Sequence, residues 1–395
     1  MSGGSQAAVV AQQAAAIAAA WSPPGSPPSW RLTAAQFGVL RDDPELLAIA
    51  TMIAPERLPA LLFSAAATAL VLEHEPSPMR ESFPRVGAPQ PPLSPDFREQ
   101  YRTFCLDHRD DLLKLCEAHR YQMNEVGRCA DLVPALAPTI AEGRELVLVD
   151  IGTGAGLTLH LDRYRYVFRG PQPDRMTTVG DDDSVVVLET EVRGSLPPPI
   201  TPVLPRIVDR IGIDVEPLDL FDSGVRAWLA ACVPQESAAI TRFQRAVEVA
   251  IANPARTVRG DACDVLPAIL EGIPSGPLVC LVDTYAHVFF SAEALARFHA
   301  IVEQFGGRRD LDWISVDPLV PLGDAADRSV LDIPVPAGLL ERNRRLGLFG
   351  LIGRVRYRGG KRARSLLGIA HPGAAWLEWI EAQRAPRSAR RMTPG

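Results

Sequence analysis

Residues 146–159 read LVLVDIGTGAGLTL: an apolar run, a carboxylate at Asp150, then glycine at 152, 154 and 156. An apolar run of this length that ends on an acid fits a buried strand of a parallel sheet. Glycine on alternate positions leaves bare backbone that a ligand or another chain segment can approach closely. A strand running into such a turn is a generic cradle for a nucleotide-like ligand. The spacing is D-x-G-x-G-x-G, with Leu157 where a dinucleotide site expects its third glycine, which disfavours nicotinamide redox chemistry.

The pattern recurs downstream. RIGID (210–214), ARTVRGD (255–261), PLVCLVD (277–283) and DWISVD (312–317) also end on Asp, and most are followed by helical segments. Together they predict an α/β fold with a Rossmann-like, mostly parallel sheet over 143–380 and acids along its carboxyl edge. RLGLFGLIGRVRY and RARSLLGIA flank RGGK and predict an antiparallel C-terminal hairpin. VVVLETEV lies in an excess segment, about 163–205, that predicts an inserted hairpin, either a substrate cover or edge decoration. Upstream, the helical period of ELLAIATMI, ERLPALLFSAAATALVLEHE and DFREQYRTFCLDHRDDLLKLCEAHRYQMNEV predicts an all-α cap over 31–142. Residues 1–30 form an Ala/Pro-rich segment. AAWLEWIEAQRA is expected to be a closing helix, and 381–395 a basic tail.

The 395 residues carry a net charge of −6, which argues against bulk binding of nucleic acid and favours a small-molecule partner. No apolar run is long enough to cross a bilayer, and no Lys or Arg precedes Arg31, so a cytoplasmic protein is expected. Six scattered cysteines, without a CxxC pair or a histidine at metal-like spacing, predict reduced thiols and no metal site.

The acid–glycine turn resembles motif I of the class I S-adenosylmethionine-dependent methyltransferases. That resemblance implies that Asp150, Gly152, Gly154 and Gly156 hold the cofactor. It also implies that Asp214 takes the ribose, with Glu216 and Asp219 as rivals, that Asp261 and Ala262 contact the adenine, and that Asp283 and Tyr285 face cofactor and substrate. From DDPELLAIA through QMNEVGRCADLVPAL and VDIGTGAGLTLHLDRYRY to IAHPGAAWLEW, nearly the whole chain resembles a family catalogued as domain of unknown function 2332.

His287, just after the fourth acidic run, is either an acceptor base or a satisfied helix-end histidine. Glu125 and Arg128 share a helical face with Asn124 nearby, as a lid over the pocket or as a packing ion pair. Asp162 and Tyr164 line the substrate side, or Tyr164 and Tyr166 form one face of a strand. His371, in AHPGAAW, is expected in a structural turn, and Arg342 to Arg364 as a solvated basic hairpin. The expected activity is methyl transfer from S-adenosylmethionine to a small molecule, with Tyr285, His287 and Glu125 as the catalytic candidates. Cyclisation, elimination or aminocarboxypropyl transfer from the same cofactor, or a non-catalytic scaffold, are the alternatives.

Overall fold

The structure, a computed structural model, describes residues 3–23, 26–74, 77–172, 175–318, 327–346 and 349–381. All but the first residue of the predicted basic tail lies outside these.

Helices α1 (Gly3–Ala20), α2 (Arg31–Asp42), α3 (Pro44–Ala50), α4 (Pro59–Glu73), α5 (Phe97–Asp107) and α6 (Arg109–Ala118) build the cap. The sequence of α4, PALLFSAAATALVLE, is apolar on every side, so it lies at the cap's centre, buried from Pro59 to Val71 except at Leu61. α3 begins where Pro44 supplies a fixed φ and the Asp43 carboxylate accepts from the N–H groups of Glu45 and Leu46. Val10, Ala14 and Ala18 of α1 pack into this core, so the Ala-rich segment is the cap's first helix. The next helix, α7 (Cys129–Ala141), departs from the sequence expectation: Leu132, Val133, Ala135 and Leu136 pack on the sheet, not in the cap.

The sheet begins with β1 (Leu146–Ile151), β2 (Arg165–Arg169), β3 (Met176–Val179), β4 (Val187–Arg193) and β5 (Ile207–Asp214). After α8 (Ser223–Cys232) and α9 (Ser237–Ala252) come β6 (Arg256–Arg259), α10 (Ala262–Gly272), β7 (Leu278–Thr284), α11 (Ala292–Gly306) and β8 (Leu311–Pro318). The chain closes with α12 (Ala337–Leu346), β9 (Gly350–Arg358), β10 (Lys361–Ala370) and β11 (Trp376–Trp379). The eleven strands form one sheet in the order β3-β2-β4-β11-β10-β9-β8-β7-β1-β5-β6.

The stretch β6-β5-β1-β7-β8 is wholly parallel and made of the five acid-terminated runs. Its order reverses between β1 and β7, as in doubly wound nucleotide-binding sheets, and the crevice at such a reversal is where ligands bind. β1 is buried on both faces: Leu146 and Leu148 point to the α7 side, and Val147, Val149 and Ile151 to the α10–α11 side. β9 and β10 make the predicted hairpin around Gly359 and Gly360, both at positive φ.

Of the two readings of the insertion, edge decoration holds: β2 and β3 pair antiparallel, and β4 pairs parallel with both β2 and β11, so it extends the far edge of the same sheet. One expectation is corrected. The Trp-containing segment is no helix but the strand β11, because Trp376, Leu377 and Trp379 are buried where the backbone joins β4 to β10.

Gly212 of β5 faces Thr153, whose Cγ2 and Oγ1 would lie 2.6 and 2.7 Å from an added Cβ. Gly212→Ala is therefore expected to destabilise the fold by about 1–3 kcal/mol, read as a lower midpoint of urea unfolding.

Candidate functional site

The tip of β1 turns sharply because Gly152, Gly154 and Gly156 adopt φ of 70°, 53° and 73°, a region side chains disfavour. The N–H groups of Gly152 and Thr153 both donate to the Ile213 carbonyl, and Gly156 N donates to the Thr153 carbonyl. Gly154 N donates across the gap to Asp214 Oδ2 at 2.9 Å, and Ala155 N to Asn124 Oδ1 at 3.0 Å. Beyond the turn, Ala155, Gly156 and the Pro217–Phe221 segment line a cavity of about 240 Å³, which reaches Ile251 and Thr257.

The acids divide by burial. Asp150 is buried and accepts from Thr153 Oγ1 at 2.8 Å. Burial raises its pKa to about 8, against the Thr153 hydrogen bond and with help from Asp283 and Asp214, so it is largely protonated at neutral pH. Asp214 is half-buried, and its Oδ1 also accepts from Glu216 N. Asp261 caps α10 through Cys263 N, with Ala262 opening the helix.

At the tips of β7 and β8 lies a second group. His287 is fully buried, with Nδ1 3.0 Å from Asp283 Oδ1 and 3.4 Å from Asp317 Oδ2, and its ring is walled by Phe290, Phe298 and Trp313. Trp313 Nε1 donates to Asp283 Oδ2 at 2.7 Å, and Ser315 Oγ donates to Asp283 Oδ1 at 2.6 Å. Burial works against charge on His287, yet Asp283 and then Asp317 raise its pKa. Burial raises Asp317, whereas Asp283, despite its burial, is lowered by His287. Beside this group Tyr285 stands at φ 58°, with the Arg128 guanidinium 3.9 Å above its ring.

Several candidates take structural places. Glu125 is buried and bidentate to Arg242 (both contacts 2.8 Å), so its ion-pair partner is not Arg128. Arg128 instead donates to the Pro372 carbonyl and the Met123 sulfur. Asp162 pairs with Arg210 at 2.5 Å, away from the carboxyl edge. Tyr164, one residue before β2, is fully buried and donates to the Leu157 carbonyl, and of the two tyrosines only Tyr166, also buried, lies in the strand. His287 is sealed from solvent and is no exposed base. The basic hairpin is less solvated than expected: Arg356 and Arg358 are ion-paired with Glu142 and the buried Asp312.

Missed in the sequence were Ser315, Trp313 and the site role of Asp317, although Asp317 ends one of the five acidic runs. Asp131, at an apolar-looking position of α7, was also missed; it is fully buried with both carboxylate oxygens unpartnered, and burial holds its pKa well up.

His371 stacks on Trp30 (4.7 Å) and, edge-on, Trp21 (5.2 Å), tying the cap to the β10–β11 turn. Burial lowers its pKa to about 4 although the Ala20 carbonyl opposes the shift. Its unfolded value is near 6.5, so the unfolded chain binds the extra proton and this contribution to stability fades as pH falls from about 6.5 toward 4. Melting curves at pH 7 and 4.5 are expected to show a larger acid-induced drop in Tm for the wild type than for His371→Asn.

No curated protein matches the chain. A family profile, described as "Uncharacterized protein conserved in bacteria (DUF2332)", matches residues 11–379, from within α1 to the end of β11. The chain belongs to this family.

Proposed function

We propose that the chain binds S-adenosylmethionine at the tip of β1 and transfers its methyl group to a small-molecule acceptor. The observation that carries this is the Gly154 N–H to Asp214 Oδ2 bond of 2.9 Å, which sets a carboxylate beside a glycine turn next to the reversal of strand order. Each Asp214 oxygen already accepts one backbone N–H and keeps a lone pair for a ribose hydroxyl. Asp261 stands at the neighbouring strand end, and Gly156 opens onto the cavity. The cofactor brings an already activated methyl group, which leaves the protein the work of aligning an acceptor.

The carboxylate acceptors suit a ribose; the space does not in this state. Asn124 Oδ1 and Gln122 Oε1 lie 2.8 and 3.4 Å from the Cβ position of Gly154, and the cavity is smaller than the roughly 300–1,000 Å³ of most ligand sites. Binding therefore requires the side chains of Gln122 and Asn124 to move off the turn. A second reading, a non-catalytic scaffold, is favoured by another observation: the N–H groups of Gly152, Thr153, Gly154, Ala155 and Gly156 are all satisfied within the protein.

Calorimetric titration with S-adenosylmethionine and S-adenosylhomocysteine separates the two. Saturable binding is expected, at least about tenfold tighter (1.4 kcal/mol) in Gln122→Ala/Asn124→Ala than in the wild type. Absence of binding by both folded proteins overturns the proposal and leaves the scaffold. Release of methylthioadenosine or methionine, in place of S-adenosylhomocysteine, assigns the alternative sulfonium chemistry.

A further inference from the structure

The group at the tips of β7 and β8 has the composition and spacing of a metal centre. Among the described residues, Asp283, His287 and Asp317 are the one set whose donor atoms could hold an ion, one from each lying within 4.8 Å of the others. We propose that these three side chains bind a divalent first-row cation of the Mn²⁺, Fe²⁺ or Zn²⁺ type. This inference is independent of the adenosyl reading.

Geometry carries it first. Donors about 2.1 Å from a common ion lie about 3–4 Å apart, and His287 Nδ1 is 3.0 Å from Asp283 Oδ1 and 3.4 Å from Asp317 Oδ2. Neither contact is aligned as a hydrogen bond, so a wholly buried ring nitrogen faces two carboxylate oxygens without a bonded partner. A backbone or hydroxyl partner would have been the ordinary solution for such a nitrogen.

The surroundings carry it further. Trp313 Nε1 and Ser315 Oγ orient Asp283, and Ser315 Oγ also reaches Asp317 Oδ2 at 3.2 Å. The N–H groups of His287 and Val288 approach Asp317 at 3.4 and 3.3 Å. Outer hydrogen bonds of this kind fix the direction of ligating carboxylates. Charge agrees: with the imidazole deprotonated, as ligation requires, a dication neutralises the two buried carboxylates. One nitrogen and two oxygens, without a thiolate, match the preference of borderline and hard cations. Asp283 lies on β7 and Asp317 on β8, which are paired, so the sheet places two of the three donors.

The full chain, expressed with added MnCl₂ and ZnCl₂ and purified without chelator, is analysed by inductively coupled plasma mass spectrometry. About one ion per chain is expected for the wild type, and less than about a tenth of that for His287→Gln and Asp317→Asn. His74 and His108, whose rings lie 4.7 Å apart on the cap, are the control pair, and His108→Gln is expected to leave the metal content unchanged. Pulsed electron paramagnetic resonance of the Mn²⁺-loaded wild type needs no variant and is expected to show one coupled imidazole nitrogen. Metal-free wild-type protein, content lost with His108→Gln, or coupling to two or to no imidazole nitrogens overturns the proposal.

Discussion

Backbone N–H groups at the tip of a central strand need acceptors wherever they leave water, and no regular α-helix follows β1 to order them. A 3-10 turn over Leu157–Arg163 takes its place. The acceptors come from three directions: the Ile213 carbonyl and Asp214 carboxylate of β5, the Asn124 amide of the segment leaving the cap, and the turn's own Thr153 carbonyl. An unpaired buried donor costs on the order of 1–3 kcal/mol, so these partners are held as firmly as apolar core contacts. The positive φ of the three glycines is what aims the donors outward to those partners. Cap, β1 and β5 are thereby joined next to the reversal of strand order between β1 and β7.

The same edge gathers five carboxylates, whose mutual repulsion in low dielectric has to be relieved one by one. Asp150 does so by taking up a proton, with its hydrogen bond to Thr153 kept. Asp214 and Asp261 do so by accepting backbone N–H groups at the start of a turn and of a helix. Asp283 and Asp317, the most deeply buried, share His287. Relief by proton, by dipole and by counter-charge follows increasing separation from the Asp214 rim only in part, since Asp150 is itself buried between the two groups.

The strands were legible because each apolar run ends in an acid, and the 4- to 8-residue length separates such runs from helices. In the terminal WLEWI, Trp376, Leu377, Trp379 and Ile380 suit a helical face as well as a strand; pairing with β10 and with β4, nearly two hundred residues earlier, decides for the strand. α7 was assigned to the cap for a similar reason: its apolar face is visible in sequence, but not what covers it. Of the site, the residues on strand tips were legible and their partners were not. Asp283 meets Ser315 and Asp317 through β7–β8 register, a relation of more than thirty positions that no local spacing encodes. Glu125 was recognised as an ion-pair residue, but Arg242 lies on a helix more than a hundred residues away.

α7 ties these features together. Leu188 and Val192 of β4, Ile352 of β9, Leu367 of β10 and Leu148 of β1 belong to one buried cluster with Leu132 and Leu136, so this helix shares its core with strands from both halves of the sheet. Arg128, at the start of α7, covers the Tyr285 ring, and the Tyr285 N–H donates to the Val316 carbonyl at 2.8 Å. A non-glycine residue at φ 58° costs on the order of 1–3 kcal/mol and persists only where its surroundings fix it. Here the stacked guanidinium and the bond to β8 do so, and the strained peptide turns the chain back so that His287 returns between Asp283 and Asp317. The conformation of one tyrosine thus links packing around a central helix to the placement of a fully buried histidine beside two buried carboxylates.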